Sequence, residues 1–226
     1  EHKNSSPNSI GNIKKIILYL LYFILTKITI LHNFYIWFST GISHIINWEA
    51  YDHVLFLFAL CSIYTFRQWR KLLLLVTAFT IGHSLTLALS VLHVFTLHMP
   101  LVEFLIAVTI VITCLYNLQV NNDGADRKTT TSFWMAAFFG LIHGLGFASV
   151  LKEMLFDDHI YFPLFAFNVG LEAGQLVVVL LLLTVMHLFR NLFHLKPYSL
   201  NFFISTSIAV VAFVVAVNRF TLIFHH

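Results

Sequence analysis

Histidine and carboxylate side chains recur inside segments that are otherwise apolar, and their chemistry needs an explanation. The positions are His44, Asp52, His53, His83, His143 and Glu172. An ionisable group in hydrocarbon costs about 3 kcal/mol or more, so such residues usually face one another, an ion or a water-filled cavity. Imidazole and carboxylate groups are ligands of divalent nickel, cobalt and zinc, and the absence of Cys and Met from this set argues against Cu(I). The pattern predicts an intramembrane metal site.

Helical spacing adds neutral polar residues to this set. Asn168, Glu172 and Gln175 follow one another at i, i+4 and i+7, which places them on one stripe of a helix. Thr80 lies one turn before His83 on another helix. We expect Thr80, Asn168 and Gln175 to support the metal ligands through hydrogen bonds rather than to bind the ion.

A hydrogen bond between helices is the competing interpretation of each histidine, because a single intramembrane imidazole often has that role. The coincidence of six ionisable residues favours a metal site. Asp52 can act either as a ligand or as the partner that orients a ligating imidazole. Glu103 is interpreted as structural, since it follows Pro100 in the first turn of a helix, where a carboxylate favours the helix dipole.

The composition requires elements that cross a membrane. Of the 226 residues, 59% are hydrophobic and only 10% are charged, whereas soluble domains carry about 25% charged residues. The net charge of +3 is small and dispersed, which argues against nucleic-acid binding. The fold class is therefore an all-α polytopic transmembrane bundle of about seven helices. The predicted spans are residues 14–36, 51–66, 71–97, 100–120, 132–152, 161–190 and 199–222.

The basic residues predict the orientation. With the N-terminus inside, ten of the 13 Lys and Arg residues lie on the cytoplasmic side and two lie outside. The protein is therefore predicted to be N-in and C-out, as a multi-pass protein of the cytoplasmic (inner) membrane. This orientation places most of the intramembrane ionisable groups in the outer half of the bilayer.

Several segments resemble the HupE/UreJ membrane proteins. The matching segments are GISHI (41–45), YDHVLF (51–56), TAFTIGHSLTL (77–87), FGLIHGLGFA (139–148) and FNVGLEAGQ (167–175). The resemblance implies a polytopic protein associated with nickel handling for hydrogenase or urease maturation. It divides the chain into an N-terminal tail with an additional helix (1–33) and a six-helix core (34–226).

Two functions follow from a metal site in this setting. The first is binding and transport of a divalent ion of the nickel or cobalt type. The alternative is a metal-dependent hydrolase or transferase that acts on a lipid or lipidated substrate at the outer leaflet, with Glu172, Asp52 or Ser84 as proton carriers. In either case the partners are the lipid bilayer and a Ni, Co or Zn ion, and both self-association and docking of maturation proteins are compatible with the sequence.

Overall fold

The computed structural model describes residues 7–47, 50–92, 98–119, 129–154 and 160–224. These residues form seven helices and no strand, which confirms the all-α prediction. The helices are α1 (Pro7–Ile46), α2 (Tyr51–Cys61), α3 (Trp69–Val91), α4 (Met99–Leu118), α5 (Thr129–Met154), α6 (Tyr161–Leu192) and α7 (Pro197–Ile223). A short 3₁₀ turn, Phe66–Gln68, precedes α3.

Six of these helices are long and apolar enough to cross a membrane, and α2 is not. Its 11 residues cover only about 17 Å, although a span had been expected over residues 51–66. At its end, the single hydroxyl proton of Ser62 is shared between two acceptors within hydrogen-bond distance, the carbonyl of Ala59 at 2.8 Å and Oδ1 of Asn201 at 2.9 Å, the second a contact from the far end of the sequence. The first helix also differs from expectation, because α1 continues past residue 36 to Ile46.

Two glycines allow α1 and α6 to touch along their backbones. A side chain on Gly41 would collide with the carbonyl of Phe167, and one on Gly170 would collide with the carbonyl of Phe38. The ring of Phe34 lies 6.2 Å from that of Phe162, at the start of α6. Further along both helices, a Cβ on Gly174 would meet Ile42 and Ile45. From Phe34 and Phe162 to these residues the contacts advance in the same direction, so the second half of α1 runs parallel to α6.

The helices α3 and α5 pack in the same way. A Cβ on Gly82 would collide with the carbonyl of Ala137, and one on Gly140 would collide with the carbonyl of Phe79. Small residues at a helix interface permit this approach, and dispersion contacts between the backbones then stabilise the pair. The close contacts place α3 and α5 side by side through the middle of the bundle.

Several helix termini meet at one end of the bundle. Phe66, just before α3, packs edge-on against His187 near the end of α6, with ring centroids 5.8 Å apart. Ser62 after α2, Asn117 at the end of α4 and Asn201 at the start of α7 form one hydrogen-bonded network. We call this the basic end, because its helix termini carry Arg67, Arg70, Lys71, Arg190 and Lys196.

These contacts show that α1 and α2 contribute to a single pass. Phe34 of α1 is level with the start of α6, while α2 ends at the basic end, where α6 also ends. Residues 34–61 therefore cover the same distance as α6 and in the same direction. The pass is interrupted between Ile46 and Tyr51, so the chain crosses the bundle here as two half-helices.

The first part of α1 lies outside this bundle. Side chains of residues 14–33 are exposed on every face, and packing begins only at Phe34. The whole helix has 40 residues, about 60 Å, which is twice the thickness of the hydrocarbon core. The division into residues 1–33 and 34–226 remains a prediction, and its boundary would fall within a continuous helix at the point where packing starts.

Candidate metal centre

Four histidines meet where the broken pass crosses the α3–α5 pair. His44 is in the last turn of α1 and His53 in the first turn of α2, so the two flank the interruption. His83 lies in the middle of α3, and His143 lies in the middle of α5. The last two are completely buried, as is nearly all of His53. Three separate chain passes thus supply the cluster.

The spacing of the imidazole rings is compatible with a shared ion. His44, His53 and His83 each offer one nitrogen, and these nitrogens all lie within 4.8 Å of one another. The ring of His143 is 5.3 Å from that of His53, although His143 is outside the group of three. Nitrogens on one ion lie roughly 3–4 Å apart, so side-chain rotations on the order of 1 Å would complete a site.

Hydrogen bonds fix the tautomers of two of these rings. Nδ1 of His53 lies 3.0 Å from Oδ1 of Asp52, whose oxygen also accepts from the backbone N–H of His53. Nδ1 of His143 lies 2.9 Å from the carbonyl oxygen of Phe139. Because carbonyl and carboxylate oxygens only accept here, both Nδ1 atoms carry the proton. Each Nε2 then presents a lone pair, the form that a metal requires.

Five ring nitrogens of the cluster have no hydrogen-bond partner among the described residues. They are Nε2 of His44, His53 and His143 and both ring nitrogens of His83. Each buried polar atom without a partner lowers the stability of the folded protein by about 1–3 kcal/mol. Five such atoms in one cluster would be strongly destabilising. A divalent ion bound by one nitrogen of each ring would remove this cost for four of the five atoms, so the donor set fits Ni, Co or Zn.

Aromatic rings enclose the cluster, a feature that the sequence analysis did not predict. Phe147 lies 4.0 Å from the ring of His44 and stacks on Phe167. Phe79 lies 5.0 Å from the ring of His143 and stacks on Phe56. The signal for this enclosure was present, since Phe79 and His83, and likewise His143 and Phe147, are four residues apart on their helices.

The predicted carboxylate ligands have other partners. Asp52 contacts His53, which is the geometry of an orienting residue. Glu172 accepts a hydrogen bond from the Thr77 hydroxyl at 2.6 Å and is absent from the group of three histidines. Their roles as metal ligands remain predictions.

The other predicted side chains are also engaged. Gln175 pairs with Thr80 at 2.8 Å, and the amide of Asn168 donates to the carbonyl of Leu164. The hydroxyl of Ser84 donates to the backbone carbonyl of Thr80. Within the described part of the chain these hydrogen bonds do not involve a histidine, so support for the ligands by Thr80, Asn168 and Gln175 also remains a prediction.

Comparison with known proteins agrees with the motifs. A protein-family model described as HupE / UreJ protein matches residues 22–222. No curated protein matches the chain, and no solved structure does.

Proposed function

The chain belongs to the HupE/UreJ family of membrane proteins, and we propose that it binds and transports a divalent ion of the nickel or cobalt type. The family implies nickel or cobalt handling at a membrane, and the multi-pass helical structure agrees with that setting. Binding of the ion by the histidine cluster and its passage across the membrane are the steps that we propose.

One observation carries the proposal: His44, His53 and His83 present unpaired buried nitrogens within 4.8 Å of one another. His143 would complete the coordination from α5. Asp52 would hold the His53 ring in place and increase its basicity through the Nδ1 hydrogen bond, as carboxylates do for many metal-bound histidines.

The interrupted pass also favours transport. Discontinuous helices near the middle of the membrane are a recurring way to bind an ion and to let the two halves move against each other. In this chain, His44 and His53 belong to different half-helices, so movement of one half would separate two ligands of the same ion. Such a site can be made and broken during each cycle.

The alternative, an intramembrane metalloenzyme, has less support. Each side chain suggested as a proton carrier has a partner of its own, because Asp52 bonds to His53, Glu172 to Thr77 and Ser84 to a backbone carbonyl. None of these three belongs to the group of nitrogens that could share the ion.

Proteoliposomes test the proposal. Vesicles that contain the purified protein should accumulate Ni²⁺ or Co²⁺, and His83→Ala and His143→Ala should each abolish most of the uptake and most of the bound metal. His187→Ala is the matched control, since this exposed histidine near the basic end contacts Phe66 and Asn191 instead. Full metal occupancy in both central variants would refute the site.

Transport has its own criterion. Protein that binds metal stoichiometrically but moves no ion, in vesicles shown to be sealed and to contain both orientations, would refute transport and leave only binding.

A further inference from the structure

Two helices carry a second polar pairing, beside the histidine cluster. The hydroxyl of Thr77 donates to Oε1 of Glu172, and Thr80 pairs with Gln175. On α3, Thr77 and Thr80 precede His83 by six and three residues, about 9 Å and 4.5 Å along the axis. The pairing therefore extends from the histidine cluster along α3 towards the basic end.

The hydroxyl of Thr80 has two acceptors within hydrogen-bond distance but only one proton to donate. The hydroxyl of Thr80 has a single proton, yet it lies 3.1 Å from the carbonyl of Val76 and 2.8 Å from Gln175 Oε1. Meanwhile the Gln175 amide nitrogen is buried without a partner among the described residues. Turning the amide, whose two ends have the same shape, lets nitrogen donate to Thr80 while Thr80 donates to Val76.

After this turn of the amide, the side-chain oxygen of Gln175 is the buried atom without a hydrogen-bond partner. Gln175 is completely inaccessible to solvent, so a carbonyl oxygen left there would incur the full cost of desolvation unless a donor or a cation reached it. Glu172 precedes Gln175 by three residues on α6, which makes their side chains neighbours on the helix surface. A carboxylate and an unpaired amide oxygen therefore belong to the same face of α6.

We propose a second cation site, formed by the carboxylate of Glu172, the hydroxyl of Thr77 and the side-chain oxygen of Gln175. It rests on the proposed function, because its occupant would be an ion on its way between the histidine cluster and the basic end. Thr77 and Glu172 are half-buried, whereas Gln175 is fully buried. An ion that retains some water can thus reach the first two ligands before it becomes fully enclosed.

The chemistry of the two sites differs in a way that suits passage. Imidazole nitrogens bind Ni²⁺ and Co²⁺ strongly, whereas a few oxygen ligands hold these ions more weakly than imidazoles do and are also suitable ligands for the harder ion Mn²⁺. A weak oxygen site next to a stronger nitrogen site allows the ion to leave. The different preferences also allow each site to be measured separately.

Titration of the purified full-length protein with Mn²⁺, followed by electron paramagnetic resonance, and with Co²⁺, followed by visible absorption, separates the two sites. Glu172→Gln should weaken Mn²⁺ binding by about tenfold or more, equivalent to ~1.4 kcal/mol, and leave Co²⁺ affinity within about twofold. His83→Ala should lose Co²⁺ and keep Mn²⁺. Glu103→Gln, which removes a carboxylate paired with Arg219 at the opposite end of the bundle, is the matched control and should change neither.

Substitution at Gln175 provides a second measurement that does not depend on the folding of the Glu172 variant. Gln175→Met removes the oxygen at similar volume and should weaken Mn²⁺ binding, while Gln175→Glu should strengthen it. Unchanged Mn²⁺ affinity in Glu172→Gln would overturn the second site. Loss of Co²⁺ in the same variant would also overturn it, since Glu172 would then belong to the histidine cluster. Wild-type protein that binds Mn²⁺ through Glu172 but not Co²⁺ would instead refute the proposed function.

Discussion

Replacing Asp52 by Asn separates an orienting carboxylate from a metal ligand. One oxygen of Asp52 accepts from both Nδ1 and the backbone N–H of His53, at 3.0 and 2.8 Å. An Asn oxygen can accept the same two bonds, so Asp52→Asn keeps the geometry and removes only the charge. Asp52→Ala also leaves Nδ1 without its partner.

The expected loss of metal affinity in each variant follows from this difference. Loss of an outer partner of a metal-bound histidine costs roughly 10- to 100-fold in affinity. We expect Asp52→Asn near the lower value, about 1.4 kcal/mol, and Asp52→Ala near the upper value, about 2.7 kcal/mol. His53→Ala removes the ligand itself and should cost at least as much as Asp52→Ala.

The assay is competition for Co²⁺ or Ni²⁺ with a chromophoric chelator, on purified wild-type and variant protein. Because Asp52 acts chiefly through His53, and only the effect of its charge on the start of α2 remains without that ring, Asp52→Asn should cost clearly less affinity in the His53→Ala background than in the wild type. Glu103→Gln serves as the carboxylate control. An equal loss from Asp52→Asn in both backgrounds would contradict the orienting role and make Asp52 an independent contributor to ion binding.

Three further predictions concern the site, the packing and the orientation. Bound Ni²⁺ or Co²⁺, measured after desalting at a series of pH values, should decrease as the pH falls, because a protonated imidazole cannot ligate; retention that is independent of pH would argue against histidine ligands. Gly140→Val should lower the thermal stability of the purified protein far more than Gly146→Val, since a Cβ at Gly140 meets the backbone of Phe79 while one at Gly146 first meets the tip of Ile106. Single cysteines within 153–160 should react with an impermeant thiol reagent from outside and those within 121–128 should not, and the reverse labelling would contradict the prediction that the connectors rich in Lys and Arg lie inside.

The sequence was sufficient for the fold class and for much of the cluster. His83 and His143 lie in the middle of long apolar segments, where a buried imidazole needs a partner, and both reach the same centre. Their helices pair through Gly82 and Gly140, and the Gly residues beside both histidines were visible in the sequence. Burial in an apolar segment and spacing along a helix can both be inferred directly from the sequence, which is why these two histidines could be predicted.

The broken pass was not predicted, because its causes are distant in the sequence. The apolar run after Tyr51 continues beyond Cys61, and its composition alone favours one span to residue 66. The helix ends where Ser62 meets Asn201, which is 139 residues away. The partner of Glu172 could not be predicted for a similar reason, since helical periodicity places Glu172 beside Gln175 but cannot name Thr77.

The interruption would give a bound cation a polarised environment, which offers a reason for the acidic residue that follows it. The C-terminal end of α1 presents carbonyl oxygens with partial negative charge, which favours a cation near His44. The N-terminal end of α2 has the opposite partial charge and would repel the same cation. Asp52, in the first turn of α2, offsets that repulsion and also fixes the ring of His53. A single carboxylate in the first turn of α2 therefore makes this helix start compatible with a bound cation. An uninterrupted span would present no helix end at this position.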